Sequence, residues 1–152
     1  MAKPELPRVG AIFLLRADGA ALLQHRDDIP GLPHAGLWVP PGGHCEDGES
    51  LERCARREFE EETTYRCGSL TWLTTFDNLV VEDRAPFHLG VYWAVYDGAQ
   101  TVQCLEGQAL EFVDRGDASR YPIPGYLVDL WDRVLADSQS VRAGIARDMH
   151  NG

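Results

Sequence analysis

The feature that most constrains this chain is the stretch 36–65, in which a glycine turn runs through an acidic loop into a strongly charged helix. The helix is predicted to begin at Ser50, because a serine hydroxyl can accept hydrogen bonds from the free backbone N–H groups of a first helical turn. Asp47 and Glu49 precede it, at the end of the helix dipole that favours anions. The rest of the chain is expected to support this loop and helix.

The predicted helix carries carboxylates on the same side as its apolar residues. With about 100° of rotation per residue, the apolar stripe is centred just past Leu51 and includes Phe59. Glu58, Glu61 and Glu62 fall on this side. Like charges at such spacings each cost about 0.2 to 0.5 kcal/mol, so the arrangement needs an explanation.

Two explanations of the acidic cluster are open at this point. The glutamates can form a solvated face with an arginine partner nearby. Alternatively, a hard divalent cation such as Mg²⁺ or Mn²⁺ offsets the repulsion, because these ions take oxygen ligands and often bridge carboxylates to the phosphates of a substrate.

The loop and helix follow a long gapped pattern: a glycine, five residues, Glu49, seven residues, and then the run REFEEETTY at positions 57–65. This pattern resembles the Nudix box, the signature of hydrolases that cleave a nucleoside diphosphate linked to a further group. Trp38 and the Pro-Gly-Gly at 41–43 also resemble the family's usual approach to the box. Thr64 stands where the pattern has glycine, and a β-branched residue in the left-handed conformation costs about 1 to 2 kcal/mol. We expect this departure to change the loop after the helix more than the acidic site.

The resemblance implies a metal site built from the acidic helix and the glycine turn. Glu58 and Glu62 would be the primary ligands of Mg²⁺, with Mn²⁺ as a substitute, and Glu61 a third or water-mediated ligand. Gly42 would donate its carbonyl oxygen. Glu106, in a later Glu-Gly-Gln turn, would add an acidic ligand from outside the helix, and a solvated turn glutamate is the alternative. One of these carboxylates, or a more distant glutamate, would accept the proton of the attacking water.

The resemblance also implies supporting and substrate-binding residues. Arg57 would pair with Glu49 and hold the loop against the helix, and an ordinary surface ion pair is the alternative. Gly43 and His44 would lie next to the substrate phosphates, although a loop histidine facing water is the simpler interpretation of His44. Trp38 would stack on a base, and a core aromatic side chain is the alternative.

Outside this stretch, apolar patterns predict strands and one further helix. The predicted strands are 9–16, 20–24, 37–39, 70–81, 87–96, 101–104 and 109–113, and the helix is 126–136. Strands flanked by two helices that are distant in sequence predict an α/β layered sandwich with a mixed sheet. The resemblance implies the α/β/α Nudix fold. We expect a single Nudix domain over residues 1–137 and a polar tail over 138–152, where Val141, Ile145 and Met149 have the spacing of a short helix.

Length and charge limit the class of protein. A chain of 152 residues suits one domain, and its net charge of −10 argues against a nucleic-acid polymer as partner. The apolar run 11–15 is too short to span a membrane, and the first residues lack a signal segment. We therefore expect a cytoplasmic protein without a membrane partner, either a monomer or a homodimer.

The four cysteines show no Cys-x-x-Cys spacing and are expected to be reduced thiols rather than zinc ligands or a disulfide. They are Cys45, Cys54, Cys67 and Cys104.

The leading hypothesis is a Mg²⁺-dependent hydrolase of a small nucleotide, with a nucleoside triphosphate cleaved to monophosphate and pyrophosphate. ADP-ribose or a nucleotide sugar is an alternative substrate. A Nudix module that binds a nucleotide without turning it over is an alternative of a different class. The complete set Glu49, Arg57, Glu58, Glu61 and Glu62 favours catalysis, because a binding module could lose several of these residues.

Overall fold

The fold is one mixed sheet between two helices, seen in a computed structural model that describes residues 5–82 and 84–150, the last ten as backbone only. The elements in chain order are β1 (Arg8–Leu15), β2 (Ala21–His25), β3 (Trp38–Val39), β4 (Gly42–His44), α1 (Leu51–Thr63), β5 (Thr71–Leu79), β6 (Phe87–Val95), β7 (Ala109–Val113), a 3₁₀ helix (Arg115–Arg120) and α2 (Gly125–His150). Among the described residues, no helix has the length and apolar character needed to cross a bilayer.

The sheet is built around β1. Its main path runs β3-β2-β1-β6-β5, while β4 pairs with β1 and β7 pairs with β2. β1 and β6 are parallel and in register from Arg8 opposite His88 to Leu15 opposite Val95. The remaining pairings are antiparallel. The predicted mixed sheet is therefore confirmed.

Successive residues of β1 enter two different cores. Phe13 belongs to the core that includes Trp131 of α2, whereas Ile12 belongs to the core that includes Phe59 of α1. All four side chains are buried. A strand that is covered on both faces needs a continuous apolar sequence, which explains the run 11–15. One helix covers each face, so the predicted α/β/α sandwich is confirmed.

α1 lies unusually close to the sheet at Gly10. A Cβ atom at this position would be 2.8 Å from the backbone nitrogen of Ala55. Only glycine leaves room for such a contact without moving the helix. The position of the acidic helix is thus set by a backbone contact in its second turn.

The strand predicted at 101–104 is wrong, because this segment pairs with a helix end instead of a strand. Gln103 N donates to the Thr63 carbonyl at 2.9 Å, and Leu105 N donates to the Glu62 carbonyl at 3.1 Å. The last carbonyls of a helix have no partner within the helix. The extended segment supplies two of these partners and so brings the following Glu106 next to the end of α1.

Local signals also failed at β4 and in the second helix. Gly42 and Gly43 suggested a turn, but with His44 they form a strand that pairs with β1, with Gly43 opposite Gly10. The helix predicted at 126–136 continues to His150. Asp137 accepts a hydrogen bond of 2.7 Å from Trp93 Nε1, which ties this part of α2 to the sheet.

The end of the domain that was predicted at residue 137 stays a prediction. The helix α2 runs through this position without a break. The side chains of Val141, Ile145 and Met149 lie outside the described part of the chain. The short helix predicted for this tail is part of the continuous backbone of α2.

Candidate active site

α1 begins where its capping residue predicts. The Ser50 side chain accepts a hydrogen bond of 3.2 Å from Arg53 N, and Ser50 itself has an extended backbone. In the loop before it, Glu46 N donates to Glu49 Oε1 at 3.1 Å. This hydrogen bond closes the acidic loop just before the helix, and the Glu49 side chain also reaches Arg57 on α1.

Arg57 joins the loop, the strand β4 and the helix. Its Nε and Nη2 donate to the two oxygens of Glu49 at 2.8 and 2.9 Å, and Nη2 also donates to the His44 carbonyl at 3.1 Å. Nη1 donates to Glu58 Oε1 at 2.9 Å. The predicted pairing of Arg57 with Glu49 is present as a bidentate ion pair, the strongest geometry for these groups.

This ion pair shifts the titration of its carboxylate strongly. Hydrogen bonds from Arg57 lower the pKa of Glu49 to about 2, with a smaller contribution from the Glu46 N–H. The Glu49 side chain is only 14% exposed. Glu49 is therefore ionised at neutral pH, and both of its carboxylate oxygens accept hydrogen bonds. This suits a residue that holds the loop.

Glu62, near the end of α1, has the opposite environment. The residue is 3% exposed, and its Oε2 accepts a hydrogen bond of 3.1 Å from Gly42 N. Burial and, to a smaller extent, the nearby carboxylates of Glu106 and Glu58 together raise the pKa of Glu62 to about 9, against the opposing effect of the Gly42 N–H. No arginine or lysine is among the causes of this shift. Among the described residues, Glu62 is thus a buried acid without an ion-pair partner.

Glu58 and Glu61 differ in exposure. The Glu58 side chain is 18% exposed and lies against the glycine strand, where a Cβ atom on Gly43 would overlap its carboxyl group. The Glu61 side chain is 58% exposed and lies beside Arg57, 3.3 Å from Nη1. The prediction that three carboxylates share the buried side is wrong for Glu61, because its wheel position falls at the edge of the stripe, where the sheet no longer covers the helix.

Glu106 reaches the site from a different part of the chain. Its carbonyl accepts a hydrogen bond of 3.0 Å from Gln24 Nε2, and the next residue, Gly107, has a φ of +83° and packs against the His25 carbonyl. Gln24 is 2% exposed and was not predicted as part of the site. A polar residue inside the apolar strand sequence ALLQH was the available signal.

Three of the predicted site carboxylates, Glu58, Glu62 and Glu106, line a cavity of about 500 Å³ between the sheet and its loops, whereas Glu49 and Glu61 are not among its lining residues. Gly42, Gly43, His44, Glu58, Glu62 and Glu106 contribute to its wall, as do Arg26, His34, Arg84 and Tyr126. Apolar side chains from β1, β6 and α2 complete the wall, among them Phe13, Phe87, Leu89, Val91 and Leu127. Of the predicted substrate-binding residues, Gly43 and His44 therefore face the cavity.

Trp38 does not face this cavity. Its side chain is 8% exposed, stacks on His25 with ring centroids 4.7 Å apart, and meets the edge of Tyr121. The prediction that Trp38 stacks on a base is therefore corrected, because β3 turns this ring into the core.

The expectation of four reduced cysteines is wrong for one pair, because Cys45 and Cys54 form a disulfide. Their Cα atoms are 5.1 Å apart, within the usual range for a disulfide. The acidic loop folds back over the first turn of α1 and brings the two residues together, a contact that their sequence spacing does not suggest. Cys67 and Cys104 are free.

Thr64 takes the left-handed conformation that the family's glycine would provide. Its φ is +63°, and its N–H donates to the Glu60 carbonyl at 2.8 Å. Its hydroxyl donates to the carbonyls of Thr63 and Thr101 at 2.6 and 3.4 Å. The turn thus closes α1 in the ordinary way, and side-chain hydrogen bonds offset part of the cost of a β-branched residue.

The chain matches the NUDIX domain family over residues 4–125. It is 26% identical over 113 residues to a Bacillus subtilis (strain 168) protein provisionally named an 8-oxo-dGTP diphosphatase, covering 74% of this chain and 70% of that protein. It is 50% identical over 36 residues to an m7GpppN-mRNA hydrolase of Xenopus laevis, covering 24% of this chain and 12% of that protein. The chain thus spans a small part of the Xenopus protein and about two thirds of the Bacillus protein.

Solved structures share the fold over nearly the whole chain. The NUDIX domain of Shewanella oneidensis NrtR complexed with ADP ribose has a TM-score of 0.74 at 22% identity, covering 90% of each chain. A C. elegans Ap4A hydrolase has a TM-score of 0.71 at 21% identity, covering 89% of this chain and 99% of the other. At such identities the likeness concerns the fold alone. Because the family match spans well over half of its residues, the chain belongs to the Nudix hydrolase family.

Proposed function

We propose that the protein is a Mg²⁺-dependent pyrophosphohydrolase that cleaves a nucleoside triphosphate to the monophosphate and pyrophosphate. The observation that carries this proposal is the meeting of Glu58, Glu62 and Glu106 on one cavity wall. Glu62 is buried there with its pKa raised to about 9, and no side-chain cation is among the groups that shift it. A bound divalent cation would remove this electrostatic cost.

The residues present fit a hard cation. The candidate donors are carboxylate oxygens and the carbonyl of Gly42, which suit Mg²⁺ or Mn²⁺ better than zinc. Glu58 and Glu62 would hold the ion most directly, and Glu106 and the exposed Glu61 would complete its surroundings. When bound, the ion would neutralise charge on the diphosphate and make water a stronger acid.

The chain's own residues divide the remaining work. Arg57 and Glu49 hold the loop against α1 and orient Glu58 through the hydrogen bond from Arg57 Nη1. The water oxygen forms a bond to phosphorus, the bond from that phosphorus to the bridging oxygen breaks, and the released proton passes to one of the carboxylates. The candidate proton acceptors are three carboxylates of α1 and one from the Glu-Gly-Gln turn: Glu58, Glu61, Glu62 and Glu106.

The class of substrate rests on the shape of the site and on the relatives. The cavity joins an acidic part, suited to a phosphate chain with its cation, to apolar walls suited to a flat ring. The relatives and neighbours named above are described as acting on, or bound to, an oxidised nucleoside triphosphate, an mRNA cap, Ap4A and ADP ribose. These names support a small nucleotide, with ADP-ribose and nucleotide sugars as the alternative substrates.

We also propose a cytoplasmic location and a monomeric or homodimeric state. The net charge of −10 supports a small-molecule substrate rather than a nucleic-acid polymer. In a reducing cytoplasm, Cys45 and Cys54 would be thiols rather than a disulfide.

A substrate panel tests the proposed function. Deoxynucleoside and ribonucleoside triphosphates, ADP-ribose and nucleotide sugars are incubated with Mg²⁺, and the phosphate products are identified by ³¹P NMR. We expect triphosphates to give monophosphate and pyrophosphate, and excess chelator to abolish turnover. Full turnover in chelator, or release of orthophosphate instead of pyrophosphate, would contradict the proposal.

A further inference from the structure

Within residues 5–82 and 84–150, Arg26 is a charged side chain without a partner, and it lies in the wall of the cavity. It follows β2 directly, and its backbone N–H donates to the Leu37 carbonyl at 2.9 Å. Its Nε atom is buried and has no hydrogen-bond partner. Among the described residues, its guanidinium forms neither a hydrogen bond nor an ion pair, although three glutamates line the same cavity. A buried donor without an acceptor lowers the stability of the fold, so the presence of Arg26 at this position calls for an explanation.

The described residues that line the cavity near Arg26 do not supply an acceptor. Arg84 is a second cation, and its Nη2 already donates to the Leu32 carbonyl at 2.9 Å. His34 Nε2 and the Tyr126 hydroxyl share a hydrogen bond of 3.1 Å. Burial lowers the pKa of His34, and the charges of Arg26 and Arg84 lower it further, so both guanidiniums act on this part of the cavity.

Arg26 reaches the cavity from a different element than the carboxylates of α1. It lies at the end of β2, and its backbone N–H donates to the Leu37 carbonyl of the loop that carries His34, whereas Glu58 and Glu62 lie on α1. Apolar side chains such as Phe87 and Leu127 line the same cavity. If the phosphates lie at the carboxylates, as the proposed function requires, the group that meets Arg26 is the base and not the phosphate chain.

We propose that Arg26 determines base specificity by donating two parallel hydrogen bonds to adjacent acceptors on the edge of a 6-oxopurine. A guanidinium matches the N7 and O6 acceptors of guanine, whereas adenine places an amino donor next to N7. With adenine, one guanidinium N–H would stay buried without a partner. This inference rests on the proposed function for the position of the phosphates, and it adds which class of base the cavity selects.

The sharpest test compares dITP with dATP, two triphosphates that carry a 6-oxo and a 6-amino group on otherwise similar purines. For the wild type we expect kcat/KM to be about 10- to 100-fold higher for dITP, as for one bidentate base contact. Arg26→Met should lower kcat/KM for dITP and bring the ratio close to one. Arg26→Lys keeps the charge and loses the planar pair of donors, so it should recover only a small part of the preference.

Two controls separate this role from a structural one. Arg66→Met removes an arginine that is paired with Glu60 outside the cavity, and it should leave the dITP to dATP ratio unchanged. The apo melting temperature of Arg26→Met should equal or exceed that of the wild type, because the substitution removes an unpartnered charge. A lower melting temperature together with an unchanged substrate ratio would overturn the proposal.

The remaining outcomes distinguish the inference from the proposed function. If Arg26→Met reduces kcat/KM equally for both triphosphates, Arg26 contacts the phosphates and the inference is wrong. If no triphosphate is cleaved, the proposed function fails, and calorimetric binding of dIMP and dAMP still tests the inference without turnover. Equal affinity of the wild type for these two monophosphates would overturn it.

Discussion

Glu49 and Glu62 lie at the two ends of the same acidic segment, and their environments are opposite. Arg57 lowers the pKa of Glu49 to about 2, whereas burial and neighbouring carboxylates raise the pKa of Glu62 to about 9. The first glutamate has its cation in Arg57, whereas the second has no ion-pair partner among the described residues. One end of the segment therefore contributes to stability, and at the other end ionisation of Glu62 is unfavourable until a cation is bound.

Glu62→Gln should have the largest effect and should separate stability from activity. Loss of a charged ligand should lower turnover by about 10²-fold or more and weaken stabilisation by Mg²⁺. The apo protein should be equally stable or slightly more stable at neutral pH, because folding must return to Glu62 the proton that the unfolded chain has released, whereas a glutamine has no such cost. Melting curves with and without Mg²⁺, together with steady-state kinetics, measure both quantities.

Glu60→Gln is the matched control, because Glu60 is on the same helix and pairs with the exposed Arg66. It should change neither turnover nor the response to Mg²⁺. A Glu62→Gln protein that is less stable but keeps wild-type turnover would remove Glu62 from the site.

Arg57→Met should lower stability and activity together. It removes both hydrogen bonds to Glu49 and the one to Glu58, so we expect about 1 to 3 kcal/mol of lost stability. Turnover should fall by about 10- to 100-fold, as for other residues that orient metal ligands. Arg53→Met, an exposed position on the same helix, is the control. Unchanged turnover in the Arg57 variant would contradict the assigned role of the ion pair.

Glu62 and Glu49 should contribute with opposite sign to the pH dependence of the stability of the apo protein. Between pH 4.5 and about 9 the unfolded chain has released the Glu62 proton that the folded chain keeps, so stability should fall as pH rises. The Glu49 contribution has the opposite sign. It is present above pH 4.5 and is lost as pH falls towards about 2. Melting temperatures in chelator should thus have a flatter alkaline side in Glu62→Gln and an unchanged acid side.

Thr64→Gly should have the smallest effect. Glycine adopts a positive φ without strain, but the change also removes the hydroxyl's two hydrogen bonds. We expect a gain in stability of about 1 kcal/mol or less and unchanged turnover. A loss of activity measured by steady-state kinetics would show that the turn after α1 positions the acidic site.

A local sequence signal predicted the start of the helix, because Ser50 caps α1 within the first turn. The pairing of Arg57 with Glu49 was implied by the resemblance to the Nudix box, and it spans only eight residues. The helical wheel placed Glu62 correctly but not Glu61, since the edge of a buried stripe depends on how far the sheet extends over it. Glycine content hid the strand β4, because its pairing depends on β1, more than thirty residues earlier.

Contacts between distant segments could not be predicted from the sequence. Arg84 donates to the Leu32 carbonyl across 52 positions, and this contact helps to form the wall that contains Arg26 and His34. Glu106 was implied as an acidic ligand only by the resemblance to the family, and its place depends on how the preceding segment caps α1. From composition and spacing alone, Arg84 and Glu106 are ordinary charged residues of loops.

The disulfide between Cys45 and Cys54 makes the acidic loop a closed ring of chain. Glu49 lies inside this ring, so the segment that carries it is tethered to α1 at both ends. A thiol reductant opens the ring, and the segment is then held by the hydrogen bonds of Arg57 to Glu49 and His44 and by those that Arg8 makes with Cys45 and Glu46. Protein purified with a reductant and protein purified without one are therefore two distinct molecules. The ion pair between Arg57 and Glu49 matters more in the reduced protein, where no disulfide holds the segment.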